Sequence, residues 1–246
     1  MTVTEPSLRR LYEDPRTPLS SGVERAERQA GLLARAAQSS RKPLVVVDVG
    51  CGDGTGTAVA TARCKLSPGA EVSFIGLDWS RSALELARRR GVRVARASVD
   101  GAGLPLACAS VDVVIMSELV EHLVDTDAAL EEAARVLVPG GRLLLSTPNL
   151  AAWYNRVLIA FGVQPIFSEV SLRGIYGRPG QVVAGHLRLF TRRALEQLLA
   201  AVGFVEIEIT GAPYHDVPRP LRGLDRAFCH LPGMASILLA SARRPL

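Results

Sequence analysis

Two stretches of this chain hold residues whose types and spacing could do chemistry. The first is Val47-Asp48-Val49-Gly50-Cys51-Gly52-Asp53-Gly54-Thr55-Gly56. A hydrophobic run ending in closely spaced glycines lets the backbone approach a ligand without Cβ clashes, and a helix opening at the same turn aims its N-terminus there. A nucleotide-like ligand is implied. Three positions beyond Gly52 stands Thr55, not the Gly or Ala of G-x-G-x-x-G, so a nicotinamide dinucleotide is disfavoured. Downstream, Asp78 in Ile75-Gly76-Leu77-Asp78-Trp79 is an acceptor-only group, suited to both hydroxyls of a ribose. Asp100, in Ser98-Val99-Asp100-Gly101, could accept from the exocyclic amine of adenine.

The second stretch is Ser117-Glu118-Leu119-Val120-Glu121-His122-Leu123. On a helix turning about 100° per residue, Glu118, Glu121 and His122 project from one face. Two carboxylates and an imidazole suit a divalent cation such as Mg²⁺ or Mn²⁺. His186, in Gly185-His186-Leu187-Arg188-Leu189-Phe190-Thr191, is the expected fourth ligand. Without a metal, Glu121 would instead favour a helix N-terminus and His122 would act as a general base or a site wall. His215 and His230 have no such company and read as structural.

The elements that must position these residues alternate. LVVVDVG, SFIGLD, VRVARAS, VDVVIMS and RLLLSTP read as strands, with helices through Arg63, Arg90 and Val138 between them. Apolar strands alternating with helices predict an α/β fold, an open, doubly wound, mostly parallel sheet covered on both faces. The helix from Asp127 is expected to stop at Pro139-Gly140-Gly141. Residues 1–43 read as N-terminal helices and 44–149 as the ligand-binding core. Residues 150–190 break the alternation, with Tyr154, Phe161, Phe167 and Tyr176 among scattered Gly and Pro, and read as a cap over the acceptor side. Residues 191–246 add a helix from Thr191 to Val202 and the strands VEIEIT and SILLASA. One domain is expected over 1–246.

Composition bounds the function classes. The chain has 246 residues, 48% of them hydrophobic and 22% charged, which excludes disordered and collagenous readings. No apolar run approaches the roughly 18 residues of a membrane span, and a cytoplasmic protein is expected. Cys51, Cys64, Cys108 and Cys229 form no C-x-x-C pair, so they read as reduced thiols. The net charge is +5, yet 27 of the 29 basic residues are Arg and the densest group, around Arg88–Arg90, has no interleaved aromatics. Nucleic acid is therefore disfavoured as a partner.

Taken in order, D-V-G-C-G-D-G-T-G, Asp78 and Asp100-Gly101-Ala102-Gly103-Leu104-Pro105 resemble the motifs of class I S-adenosylmethionine-dependent methyltransferases, with a Rossmann-like fold, over roughly residues 44–210. The resemblance implies that Asp48, Gly50 and Gly52 line the methionine moiety and that Asp78 holds the ribose. Trp79 and Asp100 would flank or read adenine, and Gly101 and Ser117 complete the expected cofactor-binding set. The E-x-x-E-H stretch is similar to that of ubiquinone-pathway O-methyltransferases. With the downstream His186 it also resembles small-RNA 3′-end 2′-O-methyltransferases, although Arg188 stands where that group has a second histidine. The S-T-P-N and W-Y-N-R stretches resemble methyltransferase-like proteins associated with bacterial methionine biosynthesis.

The activated methyl group of S-adenosylmethionine requires mainly that the acceptor be aligned and made nucleophilic. Hydroxyls need the most help, so Glu118, Glu121 and His122 as catalytic residues favour O-methylation of a small metabolite or sugar, with or without Mg²⁺ or Mn²⁺ on Glu118, Glu121, His122 and His186. A non-catalytic S-adenosylmethionine-binding regulatory partner and an RNA 2′-O-methyltransferase are the alternatives.

Overall fold

A computed structural model describes residues 23–38, 43–65, 71–101, 103–178 and 183–246. The N-terminal helices expected before residue 23 and Ala102 of the adenine-proximal segment lie outside the described residues. Elements follow in chain order as α1 (Val23–Gln38), β1 (Leu44–Val49), α2 (Thr55–Lys65), β2 (Val72–Asp78), α3 (Arg81–Arg89), β3 (Val94–Arg96) and β4 (Val111–Ser117). A 3₁₀ turn, Val120–His122, leads to α4 (Thr126–Val136), β5 (Leu137–Pro148), α5 (Trp153–Ala160), α6 (Arg192–Val202), β6 (Val205–Ala212), α7 (Arg222–Phe228) and β7 (Ile237–Arg243).

The strands form one seven-stranded sheet in the order β3-β2-β1-β4-β5-β7-β6. Its first five strands are parallel, and β7 runs antiparallel to both β5 and β6. This is the expected open, doubly wound sheet. Alternate residues of each strand enter separate cores. Val47, Val49, Val114, Met116, Leu143 and Leu145 pack with α4 and α6 on one face. Val46, Phe74, Val113, Ile115 and Leu144 pack with Ala30, Leu33 and Ala37 of α1 on the other. Burial on both faces is why these strands read as continuous apolar runs. Because β1 pairs with β2 on one side and β4 on the other, strand order reverses beside it, and the crevice opens at the carboxyl ends there.

Three local expectations are corrected. Pro139-Gly140-Gly141 does not end a helix but lies inside β5, where the register against β4 shifts between Val111 and Val113. Gly140 takes φ +78°, and a Cβ on Gly141 would stand 2.9 Å from Val138 O, so the glycines permit a bulge rather than a stop. The third strand is only Val94–Arg96, and an eight-residue helix, α5, opens the segment expected to be irregular. No helix among the described residues is long and apolar enough to cross a membrane.

Candidate active site

The glycine loop is shaped by its own backbone. Gly50, Gly52 and Gly54 have φ of +74°, +54° and +77°, a region L-residues rarely adopt. A Cβ on Gly54 would lie 2.8 Å from Ala87 Cβ, so the loop can pack on α3 only without one. Asp78, at the end of β2, accepts from Gly52 N through Oδ2 at 2.9 Å and from Ser80 N through Oδ1 at 2.8 Å. One carboxylate thus ties the loop to the next strand end, and burial raises its pKa. Asp48 is 4% exposed and accepts from Thr57 Oγ1; burial, reinforced by the charge of Asp78, raises its carboxyl to about 6.

These residues edge a cleft of about 500 Å³ that Trp79, Ser98, Asp100 and Ser117 also line. The Trp79 carbonyl accepts from Arg96 Nε at 2.8 Å. Asp100 accepts from Val124 N at 3.1 Å and Asp125 N at 3.2 Å, tying the end of β3 to the start of α4. Gly101 follows with φ +89°. Ser117 Oγ donates to Gln29 Oε1 at 2.6 Å. The chemistry of the cleft fits S-adenosylmethionine, a ligand with ribose hydroxyls and a cationic methionine end: it offers acceptor carboxylates beside backbone that no Cβ obstructs.

The acceptor end departs from the helical projection. Glu118 has φ +51°, so β4 breaks into a left-handed residue before the 3₁₀ turn, and the 100° spacing does not carry across it. Glu118 is not among the ligand atoms that converge: it accepts from Ser146 Oγ at 2.9 Å, with Arg25 Nη1 at 3.8 Å. Glu121, His122 and His186 do converge, with ligand atoms all within 4.8 Å of one another. Glu121 is fully buried. Its Oε2 accepts from Thr147 Oγ1 at 3.0 Å, Oε1 has no hydrogen-bond partner, and burial followed by the charge of Glu118 pushes its pKa well up.

The two imidazoles sit 4.7 Å apart, centroid to centroid. His122 Nδ1 lies 3.2 Å from Gly185 O and His186 Nδ1 lies 3.0 Å from Phe167 O. With each Nδ1 protonated, each ring donates to a carbonyl and directs its Nε2 lone pair elsewhere; His122 Nε2 is 3.9 Å from Glu121 Oε1. Burial holds both histidines below the ordinary imidazole range, hence neutral. Neutral imidazoles and one buried carboxyl, which a bound cation would deprotonate, fit a divalent cation.

Several lining residues had no signal in the sequence. Arg25 and Gln29 come from α1, whose apolar face predicts packing but not a cleft wall. Glu169, Arg178, Tyr214 and His215 also line the cleft, with His215 Nε2 3.3 Å from Asp216 Oδ2. Of the four cap aromatics, Phe167 reaches the cleft and stacks edge-on with Tyr214 at 4.9 Å, whereas Phe161 and Tyr176 are exposed.

Sheet order, glycine loop and strand-end acids together define the class I S-adenosylmethionine-dependent methyltransferase fold. The chain belongs to the methyltransferase-domain family, matching it over residues 23–209. It is 32% identical over 180 residues to a Mycobacterium tuberculosis protein named a probable S-adenosylmethionine-dependent methyltransferase, covering 73% of this chain but only 54% of that relative. It is 33% identical to an O-methyltransferase of Pyrenophora dematioidea, covering 94% of this chain and 86% of the relative. An S-adenosylmethionine-dependent methyltransferase of Archaeoglobus fulgidus shares the fold, with a TM-score of 0.58 at 16% identity, over 92% of this chain and 96% of that one.

Proposed function

We propose that this chain transfers the methyl group of S-adenosylmethionine to a hydroxyl of a small acceptor bound at the Glu121–His122–His186 end of the cleft. The observation that carries this reading is the buried Glu121 Oε1, without a hydrogen-bond partner, close behind two imidazoles that line the same cleft as the glycine loop. The similarity to an O-methyltransferase over nearly the whole chain supports it.

In this reading Asp78 holds the ribose, while Asp48, Gly50 and Gly52 face the methionine moiety. Trp79, Asp100, Gly101 and Ser117 form the adenine and inner walls. Bound there, the cofactor supplies a methyl group already activated by its sulfonium. A divalent cation on Glu121, His122 and His186 would lower the pKa of an acceptor hydroxyl. Mn²⁺ suits this set better than Mg²⁺, because two of the three donors are imidazoles. Glu118, held by Ser146 and near Arg25, instead lines the acceptor end. The depressed basicity of His122 makes it a weak general base at neutral pH, which favours the cation over the metal-free mechanism. The test is methyl transfer to a panel of hydroxylated small molecules. Activity is expected to vanish in EDTA and return with Mn²⁺; activity that survives chelation overturns the cation, and transfer only to amines or carbon overturns the hydroxyl acceptor.

A further inference from the structure

Both imidazoles of the cluster meet backbone carbonyls of the cap, one at each of two segments that Glu169 joins. His186 Nδ1 meets Phe167 O at 3.0 Å and His122 Nδ1 meets Gly185 O at 3.2 Å. Phe167 holds φ +72°, an outlying conformation for a bulky residue, and such strain persists only where surrounding contacts impose it. Two residues on, the Glu169 carboxylate accepts three consecutive backbone donors: Ala184 N through Oε1 at 2.6 Å, then Gly185 N at 2.7 Å and His186 N at 3.1 Å through Oε2. Gly185, at φ +85°, lets these N–H groups converge on one anion. The next residues are tied to the 3₁₀ turn, where Glu121 O accepts from Leu187 N at 2.8 Å and Arg188 N at 3.1 Å.

We propose that Glu169 is a positioning residue whose carboxylate, together with the left-handed turn at Phe167, clasps residues 184–186 and so sets the ring orientation of both His186 and His122. The proposal rests on the reading of Glu121, His122 and His186 as one working cluster, and it assigns the cap a task in the site beyond enclosing the acceptor. Glu169 does not touch the reacting atoms. It acts by fixing the peptide whose carbonyl holds His122 and the backbone from which His186 projects. An ordinary loop anchor in the same place would contribute to stability and leave the rings indifferent to its removal.

The experiment compares wild type with Glu169→Gln, which keeps the size but replaces one acceptor oxygen by a donor facing N–H groups, and with Glu169→Asp, which keeps the charge on a shorter stem. Ring ¹⁵N shifts of His186 and His122, measured by long-range proton–nitrogen correlation, are expected to show Nδ1-protonated rings in wild type and tautomer averaging in Glu169→Gln. Mn²⁺ affinity, read by electron paramagnetic resonance, is expected to fall by about 10- to 100-fold, as for other outer partners of metal ligands. S-adenosylmethionine affinity should stay within about twofold, since Asp78 and the glycine loop are untouched. If Glu169→Gln does not fold, Glu169→Asp carries the test with the same signs and smaller changes. Unchanged ring shifts in a folded variant overturn the clasp. If wild type binds no Mn²⁺, the cation reading fails while the ring shifts still decide the clasp.

Discussion

Asp78 binds Gly52 N at 2.9 Å across the cleft mouth, so the acid expected to hold a ribose also fixes the loop expected to approach the rest of the cofactor. Its loss therefore removes a ligand contact and a loop restraint together. Asp78→Ala should weaken S-adenosylmethionine binding by about 1.5 to 3 kcal/mol, roughly 10- to 150-fold, in calorimetry. Wild-type affinity in that variant would remove Asp78 from the cofactor site.

Asp48 places function against stability. Its folded carboxyl titrates near 6 instead of its ordinary 3.8, so the folded state holds the proton more tightly than the unfolded chain does. Stability conferred by this group is thus present at low pH and lost as pH rises from about 4 through 6. Asp48→Asn keeps an acceptor for Thr57 Oγ1 without the buried charge. Chemical denaturation should find it more stable than wild type at pH 7, by up to about 3 kcal/mol, with the difference shrinking toward pH 4. Its affinity for S-adenosylmethionine should fall, because the cationic methionine loses its anion.

The turn glycines separate strain from collision. Gly54→Ala places a methyl 2.8 Å from Ala87 Cβ and 3.0 Å from its backbone Cα, at φ +77°. Gly91 has φ +78° with nothing within 4 Å of the added methyl. Gly91→Ala should cost about 1 to 2 kcal/mol from backbone conformation alone, and Gly54→Ala about 1 to 3 kcal/mol more, read from urea midpoints at constant slope.

The sheet and the glycine loop were legible because their signals are local. Period, glycine spacing and a carboxylate at each strand end are written in consecutive residues. The register bulge at Gly140 was not legible, since Pro-Gly-Gly ends a helix and shapes a bulge with the same residues. Nor was the fate of Glu118: one left-handed residue after β4 sends it toward Ser146 and leaves Glu121 and His122 to meet His186, 64 positions away from His122. Glu169, Arg25 and His215 belong to the cleft through tertiary contacts that no spacing announces.

Two carboxylates in one motif now have different expected roles. Glu121→Gln should lower Mn²⁺ affinity at least 10-fold, because it replaces the charged donor of the cluster. Glu118→Gln should leave Mn²⁺ affinity within about threefold and alter the acceptor's KM instead, as its carboxylate is engaged by Ser146. Equal losses of Mn²⁺ binding in both variants would return Glu118 to the ligand set.

Anomalous diffraction at the manganese edge decides whether Glu121, His122 and His186 hold a divalent cation beside the cofactor. Crystals soaked in saturating Mn²⁺ with S-adenosylmethionine or its demethylated product should show one strong peak among the side chains of Glu121, His122 and His186. No peak there under those conditions, in crystals with the cofactor visible, would rule the cation out of this cluster.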